Sequence, residues 1–251
     1  MRITLLTALS VGGSTVIGAL LGFLFKSIPH KFNDAILGFA AGVMLAAAVL
    51  GLIVPAIESS GTHGVWTVAV GIMVGAVFLN LMDRFMPHLH HIAGVDREAH
   101  THNAQLSKVL LFVMAIAIHN LPEGIAAGVS AGTEDLGNAF SVAAGICLQN
   151  IPEGMVIIAP MLSAGVSRGR TFCIAIFTGL VEVLGTFAGY FAANIAAAFL
   201  PFALAFAGGT MLYVIGDEMI PETHSHGYEQ MATYSLLIGF ILMLIMDFYL
   251  G

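Results

Sequence analysis

The chain has 251 residues, 58% of them hydrophobic and only 9% charged, with a mean hydropathy of +0.95. Soluble domains are about 25% charged, so this composition excludes an ordinary water-soluble fold and makes a bilayer the solvent. The formal net charge of −7 gives no reason to expect a nucleic-acid partner.

A spanning helix needs roughly 20 mostly apolar residues. Polar, Pro and Gly punctuation divides the chain into eight such segments, near 3–25, 34–58, 64–86, 106–131, 138–164, 170–198, 202–222 and 230–250. The first follows Arg2 but is long for a signal core and lacks a clear small-x-small cleavage site, so it reads as a helix. The interval 87–105 between segments three and four is polar and holds His88, His90, His91, His100 and His102, half of the ten histidines. It is too short to bury a core of its own and reads as a His-bearing cytoplasmic loop within one transmembrane domain, 1–251.

The few basic residues set the expected orientation, because short cytoplasmic loops collect Lys and Arg. Lys26 and Lys31, then Arg84, Arg97 and Lys108, then Arg168 and Arg170 fall on one side, and only Arg2 on the other. That pattern, with an even number of helices, puts both termini on the outer side of the cell (inner) membrane. Cys147 and Cys173 have no partner at metal-knuckle spacing and are assigned no role.

Small residues recur at helix-contact spacing, as in Gly18 and Gly22, Gly38 and Gly42, Gly71 and Gly75, Gly124 and Gly128, and Gly185 and Gly189. They let backbones approach closely in lipid and need no further role. Segments two and seven also echo each other: Ala41-Gly42-Val43-Met44-Leu45 resembles Gly208-Gly209-Thr210-Met211-Leu212, and both runs lead to an apolar-Pro step, Val54-Pro55 and Ile220-Pro221. Five helices separate the two, an odd number, so the repeat would be inverted in the membrane.

A stronger similarity joins segments four and five. His119-Asn120-Leu121-Pro122-Glu123-Gly124 and Gln149-Asn150-Ile151-Pro152-Glu153-Gly154 stand at similar depth on antiparallel neighbours. Residues i and i+4 share a helix face, which pairs His119 with Glu123 and Gln149 with Glu153, with Asn120 and Asn150 at the border. Each proline removes a backbone donor and is expected to disturb its helix, freeing the carbonyls of Ile118 and Leu148.

Glu182 is a third acid, near the middle of segment six. An ionised acid at the bilayer centre costs roughly 2.5–3.5 kcal/mol on insertion scales, so the three glutamates together would cost on the order of 8–10 kcal/mol uncompensated. Neither Lys nor Arg stands at that depth in the sequence. Protons or a bound cation remain, and the adjacent imidazole and amides favour a metal. Imidazole suits zinc and its neighbours better than magnesium or calcium; ligand type leaves zinc, ferrous iron, manganese and cadmium open. An inside-negative potential of about 100 mV is worth roughly 4.6 kcal/mol for an inward-moving dication.

On these residues the sequence resembles the ZIP (Zrt-, Irt-like) metal transporters, specifically the bacterial type with paired HNxPEG and QNxPEG motifs. The resemblance implies an all-α integral membrane protein of eight transmembrane helices in a 3+2+3 arrangement, with helices 1–3 and 6–8 as inverted repeats around motif helices 4 and 5. It implies a binuclear site, one ion near Met44, His119, Glu123 and Glu153, and a second near Asn120, Gln149, Asn150, Glu153 and Glu182, with Glu123 bridging. Some family members have His or Asp where Gln149 and Asn150 stand, so the second site has weaker ligands here. Glu58 marks the expected entry, and Asp83, His88, His90, Asp217 and Glu218 match polar positions toward the cytoplasmic exit.

The expected activity is alternating-access transport of divalent transition-metal ions, preferentially Zn²⁺, into the cytoplasm. The expected partners are the ions, the bilayer and a second copy in a homodimer, with no cofactor beyond the cargo and no enzymatic activity. The rivals are a proton-coupled carrier of organic solutes, which lacks a Lys or Arg in its apolar segments to hold an anion, and an intramembrane zinc enzyme, which lacks an H-E-x-x-H pentapeptide. A metal sensor would need an output domain.

Overall fold

The computed structural model describes residues 2–25, 29–61, 64–92, 103–163, 165–195 and 197–251, with side-chain detail for these except 83–92, 103–116 and 197. All regular structure among them is helical. Eight long helices run α1 Arg2–Gly22, α2 His30–Ser59, α3 Gly64–Ile92, α4 Asn103–Ala131, α5 Leu136–Ser163, α6 Arg168–Ala193, α7 Leu200–Thr223 and α8 Glu229–Leu250. Each corresponds to one expected segment. Seven are long and apolar enough to cross a membrane, and α4, at 29 residues, matches them in length. The chain is a multi-pass membrane protein.

The boundaries moved most around the histidine-bearing interval. Backbone helix continues to Ile92 and resumes at Asn103, so 88 and 90 belong to α3 rather than to a loop. A polar end of a long helix projects beyond the bilayer, where water satisfies it; hydropathy alone therefore ends the segment too early. At the other boundary α6 stops at Ala193, and a short 3₁₀ turn, Ala197–Phe199, leads into α7.

Prolines act differently from expectation. Helices α4 and α5 run unbroken through Pro122 and Pro152. The register changes instead in α2 and α7, where π-helical stretches Ala47–Ile53 and Ile215–Met219 precede Pro55 and Pro221. There the Val54 N–H reaches back five residues to the Val49 carbonyl, and the Ile220 N–H likewise to that of Ile215. Proline cannot donate and its ring crowds the carbonyl four residues back; a wider turn ahead of it is one way to relieve that crowding.

Packing is by close backbone approach. The chief neighbours are α4 with α6, α1 with α5, α2 with α8, α3 with α7, and α1 with α6. Glycines stand at every one of these seams. A Cβ on Gly124 or Gly128 would collide with the carbonyls of Glu182 or Thr186, one on Gly189 with that of Ile125, and one on Gly185 would stand 2.7 Å from the Leu121 carbonyl oxygen. Gly18 and Gly154 seat α1 on α5, Gly38, Gly42 and Gly239 seat α2 on α8, and Gly71, Gly75 and Gly209 seat α3 on α7. Gly12 and Gly179 face each other, a Cβ on either lying 2.5 Å from the other's carbonyl oxygen. In lipid, where there is no hydrophobic drive between helices, such close van der Waals packing is a main source of association. Large side chains such as Trp66, Leu184 and Phe248 point outward, exposed.

Candidate metal centre

The motif glycines position the centre. Gly124 lets α4 settle against α6 at Glu182, and Gly154 lets α5 settle against α1 at Thr15. Those two contact points then meet: the Thr15 hydroxyl donates to Glu182 Oε1 at 2.5 Å. Four helices are thus drawn to one depth.

Two polar groups result. In the first, His119 and Glu123 on α4 and Glu153 on α5 bring ligand atoms within 4.8 Å of one another. Glu123 is wholly buried. The Gln149 amide donates to Glu123 Oε1 at 2.7 Å, while Glu123 Oε2, Glu153 Oε1 and Gln149 Oε1 are buried with no hydrogen-bond partner among the described residues. A buried oxygen without a donor has given up water for nothing. The two carboxylates around one imidazole form a borderline-soft N/O donor set of the sort that divalent zinc and its neighbours take.

The second group centres on Glu182, also wholly buried. Besides Thr15, it accepts from Asn120 Nδ2 at 2.6 Å and Asn150 Nδ2 at 2.7 Å. Asn150 Nδ2 also reaches the Val11 carbonyl at 3.3 Å, and Asn150 Oδ1 is buried without a donor. Here the carboxyl oxygens are already satisfied by three donors.

Helix α7 joins the first group from the side. Glu218, in its π-helical stretch, places Oε2 3.2 Å from His119 Nδ1. Below it, Asn80 of α3 donates to the Tyr213 hydroxyl at 2.7 Å, and that hydroxyl donates to Asp217 Oδ2 at 3.2 Å.

The comparisons decide the family. Residues 94–247 match the family model described as ZIP Zinc transporter. The chain belongs to the ZIP family. It is 38% identical to the zinc transporter GufA of Myxococcus xanthus, over 98% of each chain. It is 39% identical to the zinc transporter ZIPB of Bordetella bronchiseptica, over 95% of this chain and 78% of that one. The zinc transporter ZupT of Chlorobaculum parvum is 33% identical, over 96% and 93% of the two chains. ZIP proteins are transporters, so membership is not in an enzyme family.

Within this ZIP chain the expected ligands fall unevenly. His119, Glu123, Glu153 and Gln149 converge, and Asn120, Asn150 and Glu182 converge beside them. Met44 is wholly buried on α2, in the apolar core that also holds Ile118 and Met211. Glu58 is exposed near the end of α2, and Asp217 is exposed near the opposite face of the bundle. Glu218, expected toward the cytoplasmic exit, is half-buried and also stands against His119. The side chains of Asp83, His88 and His90 lie outside the described residues. Thr15 was missed. Its signal was available as a hydroxyl on the small-residue stripe Thr15, Gly18, Gly22, whose glycines pack on α5.

Proposed function

We propose that this protein carries divalent transition-metal cations, zinc by preference, into the cytoplasm through the centre of its own bundle. The observation that carries this reading is the convergence of His119, Glu123 and Glu153, with one oxygen of each carboxyl group buried and without a donor among the described residues. The names of the relatives, all zinc transporters, support the choice of ion; Fe²⁺, Mn²⁺ and Cd²⁺ suit the same ligands.

The ion enters past Glu58 and exchanges water for His119, Glu123 and Glu153, with Met44 closing the shell from α2. A second ion sits between Gln149, Asn150, Asn120, Glu182 and Glu153, with Glu123 bridging. The donorless amide oxygens of Gln149 and Asn150 support it; these amides are neutral ligands, and Glu182 gives up hydrogen bonds to join. The Glu218 carboxylate accepts from His119 Nδ1, which leaves Nε2 as the lone-pair nitrogen and orients it; second-shell carboxylates do this for metal-bound imidazoles generally. The ion leaves past Glu218, Asp217 and the histidines of 88–102.

For alternating access, the 3+2+3 reading with inverted repeats is supported by the packing: exchanging α1 with α6, α2 with α7, α3 with α8 and α4 with α5 turns the list of main neighbours into itself. The glycine seams tie α1, α4, α5 and α6 into one unit that bears every ligand but Met44. That unit moves against α2, α3, α7 and α8, breaking the His119–Glu218 contact at each cycle. The whole chain, 1–251, acts as one membrane domain with its histidine interval inside the cell, both termini outside, in the inner membrane and as a homodimer.

Uptake of ⁶⁵Zn²⁺ into proteoliposomes tests the reading. Saturable uptake by the intact protein, lost in His119→Ala and in Glu123→Gln at matched reconstitution, is expected. Equal uptake by intact protein and variants, or none by the intact protein, overturns it and makes proton-coupled solute transport the reading to test.

A further inference from the structure

A separate cluster of ligand-type side chains lies at the foot of α2, at the opposite end of that helix from Glu58. His30 opens α2 and Asp34 follows one turn later on the same face. Asp34 continues the stripe of Gly38 and Gly42, on which α8 packs at Ala232 and Leu236. The foot of α8 and the turn leading into it therefore cover Asp34, whose exposure is 0%. Out of that turn comes His226, with Nδ1 3.0 Å from Asp34 Oδ1 and its side chain 25% exposed. The ring of His30 stacks on that of His226, centroids 4.4 Å apart and planes 23° from parallel. His224, two residues earlier, is committed elsewhere, to the Ile220 carbonyl and to Thr233.

One atom in this cluster points to a ligand. Asp34 Oδ2 is buried with no hydrogen-bond partner among the described residues. A carboxylate oxygen taken out of water without a donor is unfavourable, and a cation bound by this carboxylate would relieve it once the His30 ring, stacked on His226, swings in to join. Two imidazoles and a carboxylate also make a familiar three-ligand set for zinc, with a fourth position left to water.

We propose that His30, Asp34 and His226 form a second divalent transition-metal site, distinct from the membrane-centre ligands, that clamps the start of α2 to the α7–α8 turn. His30 and Asp34 supply the i, i+4 pair from one helix, and the exposed His30 ring turns off its stack to present a nitrogen. Lys31 lies at the same end, the end that the basic residues assign to the cytoplasm, so the ion bound is one already on the delivered side. Only that assignment of side rests on the transport reading; the site itself does not.

The test is a count of bound metal on the purified full-length protein carrying His119→Ala and Glu123→Gln, which removes the central ligands and makes the answer independent of transport. Equilibrium dialysis with ⁶⁵Zn²⁺ gives the count, and Co²⁺ reports tetrahedral coordination by its visible absorption. Adding His30→Ala or His226→Ala is expected to remove one bound ion per chain, together with the Zn²⁺-induced rise in melting temperature. The histidines of 88–102 are present in every sample and cancel in the difference. Asp34→Asn alters a buried group and could fail to fold, so the two histidine variants carry the decision. An unchanged count in either of them overturns the proposal.

Discussion

Glu182 draws its three hydrogen bonds from three different helices, Thr15 on α1, Asn120 on α4 and Asn150 on α5. Leaving a buried polar group without its partner costs about 1–3 kcal/mol, so Thr15→Val is expected to lower stability by roughly that amount. Thermal unfolding in detergent would register it, with Thr15→Ser largely restoring the wild-type value. Glu218 acts at the same scale but on affinity. Removing a second-shell partner typically weakens metal binding about 10–100-fold. Glu218→Ala is thus expected to raise the KM for ⁶⁵Zn²⁺ uptake by a factor in that range, with a smaller change in maximal rate; an unchanged KM would remove Glu218 from the site.

At the scale of the helix, the seams make a sharp prediction about glycines that look alike in sequence. A Cβ on Gly42 would collide with the Leu236 carbonyl, whereas one on Gly13 meets nothing within 4 Å. Gly42→Val is expected to lose about 1–3 kcal/mol or more by overpacking, and Gly13→Ala to stay near wild type, as judged by monodispersity and melting temperature. The segments themselves were legible because hydropathy and length are local properties. So were His119, Glu123 and Glu153, because an acid in an apolar run stands out and i, i+4 spacing is arithmetic. What sequence could not give was contact between helices. That Glu218 meets His119 across 99 positions, or that Asp34 meets His226 across 192, follows from how α7 and α8 pack. Nor did the motif prolines mark the irregular backbone; Pro55 and Pro221 did, and only the surrounding turn decides which proline a helix absorbs.

For the whole molecule, the orientation is open to direct test. Ser60 follows α2 at one end of the bundle, and Ser225 is exposed in the α7–α8 turn at the other. In a background with Cys147 and Cys173 replaced by alanine, Ser60→Cys is expected to react with a membrane-impermeant maleimide in intact cells. Ser225→Cys is expected to react only after permeabilisation. The reverse pattern would invert the topology and, with it, the inward direction of transport. That result would leave the membrane-centre ligands untouched, because they lie near the middle of their helices and are indifferent to which face is inside.

The π-helical stretch ahead of Pro55 has a genetic consequence. Deleting one residue from a regular α-helix swings everything beyond it by about 100°, since each residue takes up 1/3.6 of a turn, and turns buried faces toward lipid. A wide turn holds a surplus residue. Losing a single codon between Ala47 and Ile53 would let the helix close up with both flanks still facing their neighbours, so in-frame deletions should be tolerated better there than elsewhere in α2. The same surplus stands before Pro221 in α7.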